Sequence, residues 1–121
     1  MLAAVLAQGE TTVINAAMEP EIIDLQNFLN RMGAKVSGAG TNIIKIKGVK
    51  KLKSASYNIM PDRIEIGTLL CMTAITGGNT IIHNINNEDI KSICSKLEET
   101  GVKLKNEQSS IEIQAPKCLY H

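Results

Sequence analysis

Two short stretches concentrate residues that could do chemistry: "EPE" at 19–21 and "PDRIE" at 61–65. They supply Glu19, Asp62, Arg63 and Glu65, three carboxylates and one guanidinium able to hold protons, cations or an anion. Helix-start chemistry explains much of the same pattern. Pro20 suits a first helical position, and Glu19 and Glu21 favour the positive end of a helix. Asp62 can accept from free backbone N–H groups, and Glu65 three residues later completes a capping box. Arg63 has no capping role, so it carries the most functional weight of the four.

The remaining reactive side chains form no constellation. Cys71, Cys94 and Cys118 share no metal-ligand spacing and no CxxC pair. Cys71 and Cys94 fall in apolar helical segments, where a small buried residue is the default. His83 and His121 stand far apart. No metal and no cofactor is implied. An odd cysteine count without a signal peptide points to a reducing cytoplasm. In "IIKIKGVKKLKS" the alternation reads as a strand with lysines on its wet face, then a lysine-rich turn; a solvated face is preferred over a phosphate or polyanion site. A net charge of +1 supplies no field for nucleic acid or an acidic membrane. The 2% aromatic content (Phe28, Tyr57, Tyr120) leaves almost no base-stacking platform. The longest apolar run, "IGTLLCMTAIT", is too short and too polar to span a bilayer. At 121 residues and 44% hydrophobic, this is one ordinary domain's worth of chain with an aliphatic core.

These residues must be placed by a repeat. Shifted by 68 residues, positions 1–42 fall on 69–110 without a gap, with eight identities that include Leu2/Leu70, Gly9/Gly77, Thr12/Thr80, Ile14/Ile82, Leu29/Leu97 and Gly33/Gly101. The unit reads as an apolar helix ending at glycine, a β-branched strand ("TTVINA", "NTIIHNI"), and an amphipathic helix. That helix turns Ile22, Leu25, Leu29 and Met32 inward in one copy, and Ile90, Ile93 and Leu97 in the other. Two alternating strands close each unit, "AKVSG" with "NIIKIKG" and "VKLKN" with "SIEIQ". Ahead of the second copy's apolar helix stand a strand, "SYNIM", and the helix start "PDRIEIGT". The first copy has neither, because residue 1 corresponds to residue 69. "MLAAVLAQGE" therefore reads as the cut edge of a helix, and the chain as an internal segment of something longer.

The order and spacing of "EPEI", "GAKVSGAGT" and "PDRIEIGT", followed by "AITGG", resemble the bacterial UDP-N-acetylglucosamine enolpyruvyl transferases over residues 1 to about 116. A basic residue often precedes "EPE" in that family; here the position is Met18. The resemblance implies an α/β (α+β) fold of repeated βαβαββ units, three to a lobe, with helices inside and sheets outside. Residues 1–56 would then be the truncated last unit of one lobe and 57–121 the first unit of the second, with the crossing at Tyr57 to Asp62.

The implied reaction moves enolpyruvyl from phosphoenolpyruvate to the 3-hydroxyl of UDP-N-acetylglucosamine, at the entry to peptidoglycan synthesis. Its substrates are small molecules, with neither nucleic acid nor membrane as partner. The family's lysine, arginines, loop cysteine and later aspartate lie outside the matched segment. No catalytic residue is therefore expected here, and Glu19, Asp62, Arg63 and Glu65 become candidates for lining the substrate cleft. The segment alone is expected to be inactive and to self-associate. A non-catalytic structural or interaction module of the same repeat is the alternative. Related enolpyruvylshikimate-phosphate synthases fit the "EPE…PDRIE" pair less well, and RNA terminal-phosphate cyclases would need a nucleophilic histidine not found here.

Overall fold

A computed structural model describes residues 1–116; Cys118, Tyr120 and His121 lie outside the described residues. The chain divides into two compact units, Met1–Met60 and Pro61–His121.

The first unit contains β1 (Glu10–Ile14), α1 (Pro20–Arg31), β2 (Lys35–Ser37) and β3 (Ile43–Lys47), with an antiparallel sheet in the order β1-β3-β2. Helix α1 starts at Pro20 after the extended Glu19 and ends at Arg31. It stops as its glycine predicts. Gly33 takes a φ of 94°, its N–H reaches the Asn30 carbonyl, and the Ala34 N–H reaches the Leu29 carbonyl. The core gathers Val5, Leu29, Ala34, Val36, Ile44 and Ile46, with Ile22, Leu25 and Leu52 packed against it. Asn30 fastens the short edge strand β2 to the helix: its side chain donates to the Val36 carbonyl (2.8 Å) and accepts from the Val36 N–H (2.9 Å).

The second unit adds a helix in front of the same pattern: α2 (Arg63–Thr76), β4 (Gly78–His83), α3 (Asn87–Glu99), β5 (Lys103–Asn106) and β6 (Ser110–Ala115), with sheet order β4-β6-β5. Leu70, Ile90, Ile111 and Ile113 are fully buried at its centre, and α2 packs on both α3 and β6. Helix α2 buries Ile66, Gly67, Leu70, Thr73 and Ala74. Ile64, Leu69, Met72 and Ile75 stay exposed, Ile75 by 78%.

Three expectations need correction. Residues 2–6 form turns rather than a helix. The bonds within the segment close single turns, such as Ala4 N–H to the Met1 carbonyl, because so few residues with no cap cannot repay helix nucleation. Val5 nonetheless reaches the core, and the Val49 N–H ties to its carbonyl at 2.9 Å. The stretch "SYNIM" is not a strand; it has no neighbouring strand to pair with, and its Tyr57 packs on α1 instead. There the Tyr57 phenol donates to Asp24 Oδ1 at 2.7 Å, and its ring lies 5.5 Å from that of Phe28.

The third correction concerns the gapless repeat. The shift of 68 holds for the helix-stop glycines Gly33 and Gly101 and for Val36 and Leu104, but not for the other strands. Asn15 and Asn84 both adopt left-handed backbone, at φ 56° and 58°, directly after β1 and β4. The Ala16 N–H bonds to the Asn42 carbonyl just as the Ile85 N–H bonds to that of Ser109. Thus β1 maps onto β4 with a shift of 69, and β3 onto β6 with 67. Val13 faces Ile44 where Ile82 faces Ile111. A one-residue change in register flips every side chain of a strand. That is why Ile14 is 75% exposed and Ile82 only 7%, despite their sequence alignment.

Candidate functional site

Asp62 sits where the sequence places it, as the N-cap of α2. Its Oδ1 accepts from the Ile64 N–H at 2.9 Å and the Glu65 N–H at 3.3 Å. Glu65 lies in the same turn, but the reciprocal bond of a capping box, from the Asp62 N–H to the Glu65 carboxylate, is absent among the described residues. The box is half made. Asp62 and Glu65 are both exposed and look into a cleft of about 240 Å³, closed on its far side by Ile82, His83 and Asn84. His83 is the residue that sequence reasoning missed here. Its signal is the left-handed asparagine after it, which ends β4 and turns the chain beside the start of α2.

Arg63 goes elsewhere. Successive helical residues project about 100° apart. Arg63 therefore lines a larger groove of about 580 Å³ between α2 and α3, with Ile64, Cys71, Asp89, Ser92 and Lys96. The structure brings Asp62 and Glu65 together and directs their neighbour into a different cleft. Glu19 belongs to the first unit, where it is the exposed N-cap of α1 without a side-chain capping bond. Pro20 at the first helical position and Glu21 in the first turn follow the helix-start pattern.

The described residues contain no group of three His, Cys, Asp or Glu that could hold a metal ion, and no helix long and apolar enough to cross a membrane. Burial pushes the Cys94 thiol up, with Glu98 adding to the effect, which makes it a poorer nucleophile. Cys94 therefore behaves as a small core residue of α3.

With this geometry in place, comparison with known proteins identifies the relatives. The chain is 50% identical over 117 residues to UDP-N-acetylglucosamine 1-carboxyvinyltransferase 1 of Caldanaerobacter subterraneus subsp. tengcongensis, covering 97% of the chain and 28% of that protein. It is 49% identical over 117 residues to the UDP-N-acetylglucosamine 1-carboxyvinyltransferase of Trichlorobacter lovleyi, with the same coverage. The chain thus spans little more than a quarter of the length of these curated relatives. Among solved structures, the enolpyruvyl transferase NikO from Streptomyces tendae superposes with a TM-score of 0.75 at 18% identity, over 96% of this chain and 28% of that one. EPSP synthase from Acinetobacter baumannii gives 0.56 at 23% identity, over 93% and 28%. These two likenesses show the shared α/β fold. Residues 1–120 match the family described as EPSP synthase (3-phosphoshikimate 1-carboxyvinyltransferase), and the chain belongs to that family.

Proposed function

We propose that this chain is part of an enzyme that transfers the enolpyruvyl group of phosphoenolpyruvate to the 3-hydroxyl of UDP-N-acetylglucosamine, in the cytoplasm, at the start of peptidoglycan synthesis. The observation that carries this reading is the identity of about 50% with proteins named for that carboxyvinyl transfer, over 97% of the chain. The helix start "PDRIE" and the segment "GAKVSGAGT", which holds β2 and the turn after it, carry the resemblance to enzymes that use the same acceptor. The chain's part is to build and shape the enzyme, with residues 1–56 closing one lobe and 57–121 opening the next. Asp62 and Glu65 in one cleft, Arg63 in the α2–α3 groove and Glu19 at the start of α1 are the candidates for lining or ordering the substrate cleft; none moves a proton in the reaction. The cation and proton-transfer groups that such chemistry requires come from outside this segment.

A graft tests the proposal. Residues 1–116 replace the matching segment of the Caldanaerobacter enzyme, and phosphate release is followed with phosphoenolpyruvate and UDP-N-acetylglucosamine. Turnover close to that of the parent is expected, while the 121-residue chain alone gives none above a buffer blank. A folded but inactive graft contradicts the reading.

A further inference from the structure

We propose that the outer face of the first sheet is a binding site for small phosphate-bearing anions, built by Lys35, Lys45 and Lys47. The pairing register sets this face. Ile44 and Ile46 are buried, so Lys45 and Lys47 point to the opposite side of β3. Lys47 lies directly across from Lys35 on β2, and Lys45 from Ser37 on β2 and Thr12 on β1. Like charges placed directly opposite on a sheet repel. One carboxylate answers them: Glu10, opposite Lys47, with its Oε1 3.6 Å from the lysine nitrogen. Among the described residues, neither Lys35 nor Lys45 has an acidic partner. All three lysines, with Glu10, Thr12 and Ser37, line a concavity of about 570 Å³.

The second sheet is an internal control. With the structural shifts found above, Lys45 corresponds to Glu112 and Lys47 to Gln114. Glu112 stands across from Lys105, and Gln114 from Lys103. The second sheet thus sets two lysines against Glu112, with Lys105 also 3.3 Å from Glu107, whereas the first sets three lysines against Glu10 alone and keeps the greater excess of positive charge. The local sequence reinforces the contrast: from Met32 to Pro61 there are six lysines and no Asp or Glu, in a chain whose net charge is only +1. A multivalent oxyanion seated between the strands relieves the lysine–lysine repulsion and accepts hydrogen bonds from the ammonium groups and the flanking hydroxyls. No aromatic ring lines the concavity, so the site reads phosphate rather than a base or a sugar ring.

The experiment is a calorimetric and NMR titration of the full chain with inorganic phosphate, diphosphate and a nucleoside diphosphate, at ionic strength held constant with chloride. Diphosphate is expected to bind more tightly than phosphate and about as tightly as the nucleoside diphosphate, with shifts centred on β2 and β3. The double variant Lys45→Glu, Lys47→Gln copies the second sheet at exposed positions. It should keep the amide spectrum of the fold and lose affinity by roughly tenfold or more. A control, Lys103→Glu with Lys105→Gln, makes the same charge change at exposed positions of the second sheet and should bind as the unaltered chain does. The proposal is overturned if the unaltered chain shows no saturable binding, if the β3 double variant binds equally well, or if the control loses affinity to the same extent.

Discussion

Removing the Asp62 side chain separates its structural from its functional role. In Asp62→Ala, two backbone donors, Ile64 N–H and Glu65 N–H, lose their acceptor. The helix they open carries Leu70, Ile66 and Ala74 into the core of the second unit, so fraying there is felt as lost stability. Loss of an N-cap costs about 1 kcal/mol. The carboxylate's charge at the helix start adds a few tenths at most, because Asp62 is exposed and screened by solvent. For a unit of this size, about 1 kcal/mol lowers the melting midpoint by roughly 4–8 °C. Asp62→Asn keeps the acceptor and drops the charge, so it should recover most of the loss. If Arg63 serves the cleft rather than a structural partner, Arg63→Ala should cost less than Asp62→Ala. Urea and thermal melts of the three variants decide the matter. Equal losses for Asn and Ala would mean that the two hydrogen bonds are not what Asp62 contributes, and a larger loss for Arg63→Ala would reverse the assigned roles.

Three further outcomes follow from the packing. The Tyr57 phenol is held above its ordinary value of 10.0, first by the hydrogen bond it donates to Asp24, with desolvation and the Asp24 charge adding. Only the protonated phenol can donate, so this stabilisation is complete below the unfolded value near pH 10 and is lost as the pH rises through the higher folded one. In a Tyr120→Phe background, phenolate absorbance should show a midpoint above that of free tyrosine, and Asp24→Asn should lower it; an unchanged midpoint in Asp24→Asn refutes the bond. Gly48→Ala should destabilise the first unit by about 2 kcal/mol or more, because its Cβ would fall on the Ala7 carbonyl and break the Gly48–Gly9 and Val49–Val5 bonds that hold the N-terminal segment. A urea midpoint within error of the parent would count against that contact. Light scattering should give a mass above 13.1 kDa for the chain alone, since α2 leaves Ile64, Leu69, Met72 and Ile75 uncovered, and Ile75→Glu should lower it; a monodisperse 13.1 kDa species refutes the self-association.

Much of the fold was legible because it is written in local signals. The Asp62 cap, the Pro20 start and the glycines at 33 and 101 each satisfy specific backbone groups within a few residues. The strands with alternating "KIK" and "IEI" patterns formed where periodicity put them. What could not be read depends on partners distant in sequence. Whether "SYNIM" is a strand depends on a neighbour to pair with, and Tyr57 found α1 instead. Whether "MLAAVL" is a helix depends on enough residues to nucleate one. The repeat misled where it was most regular: Ile14 aligns with Ile82, but strand faces are decided by register, and the left-handed Asn15 and Asn84 are the better markers. At the candidate site, sequence adjacency grouped Arg63 with Asp62 and Glu65, whereas helix geometry sends it to another groove and brings His83 in its place.

The central claim is that this segment serves an enzyme acting on UDP-N-acetylglucosamine, and acceptor choice by the grafted enzyme tests it most directly. With residues 1–116 in the Caldanaerobacter protein, phosphate release from phosphoenolpyruvate is measured side by side with UDP-N-acetylglucosamine and with shikimate 3-phosphate. The account predicts turnover with the sugar nucleotide and none above blank with the shikimate acceptor. Turnover with shikimate 3-phosphate, or a folded graft that uses neither, would contradict it.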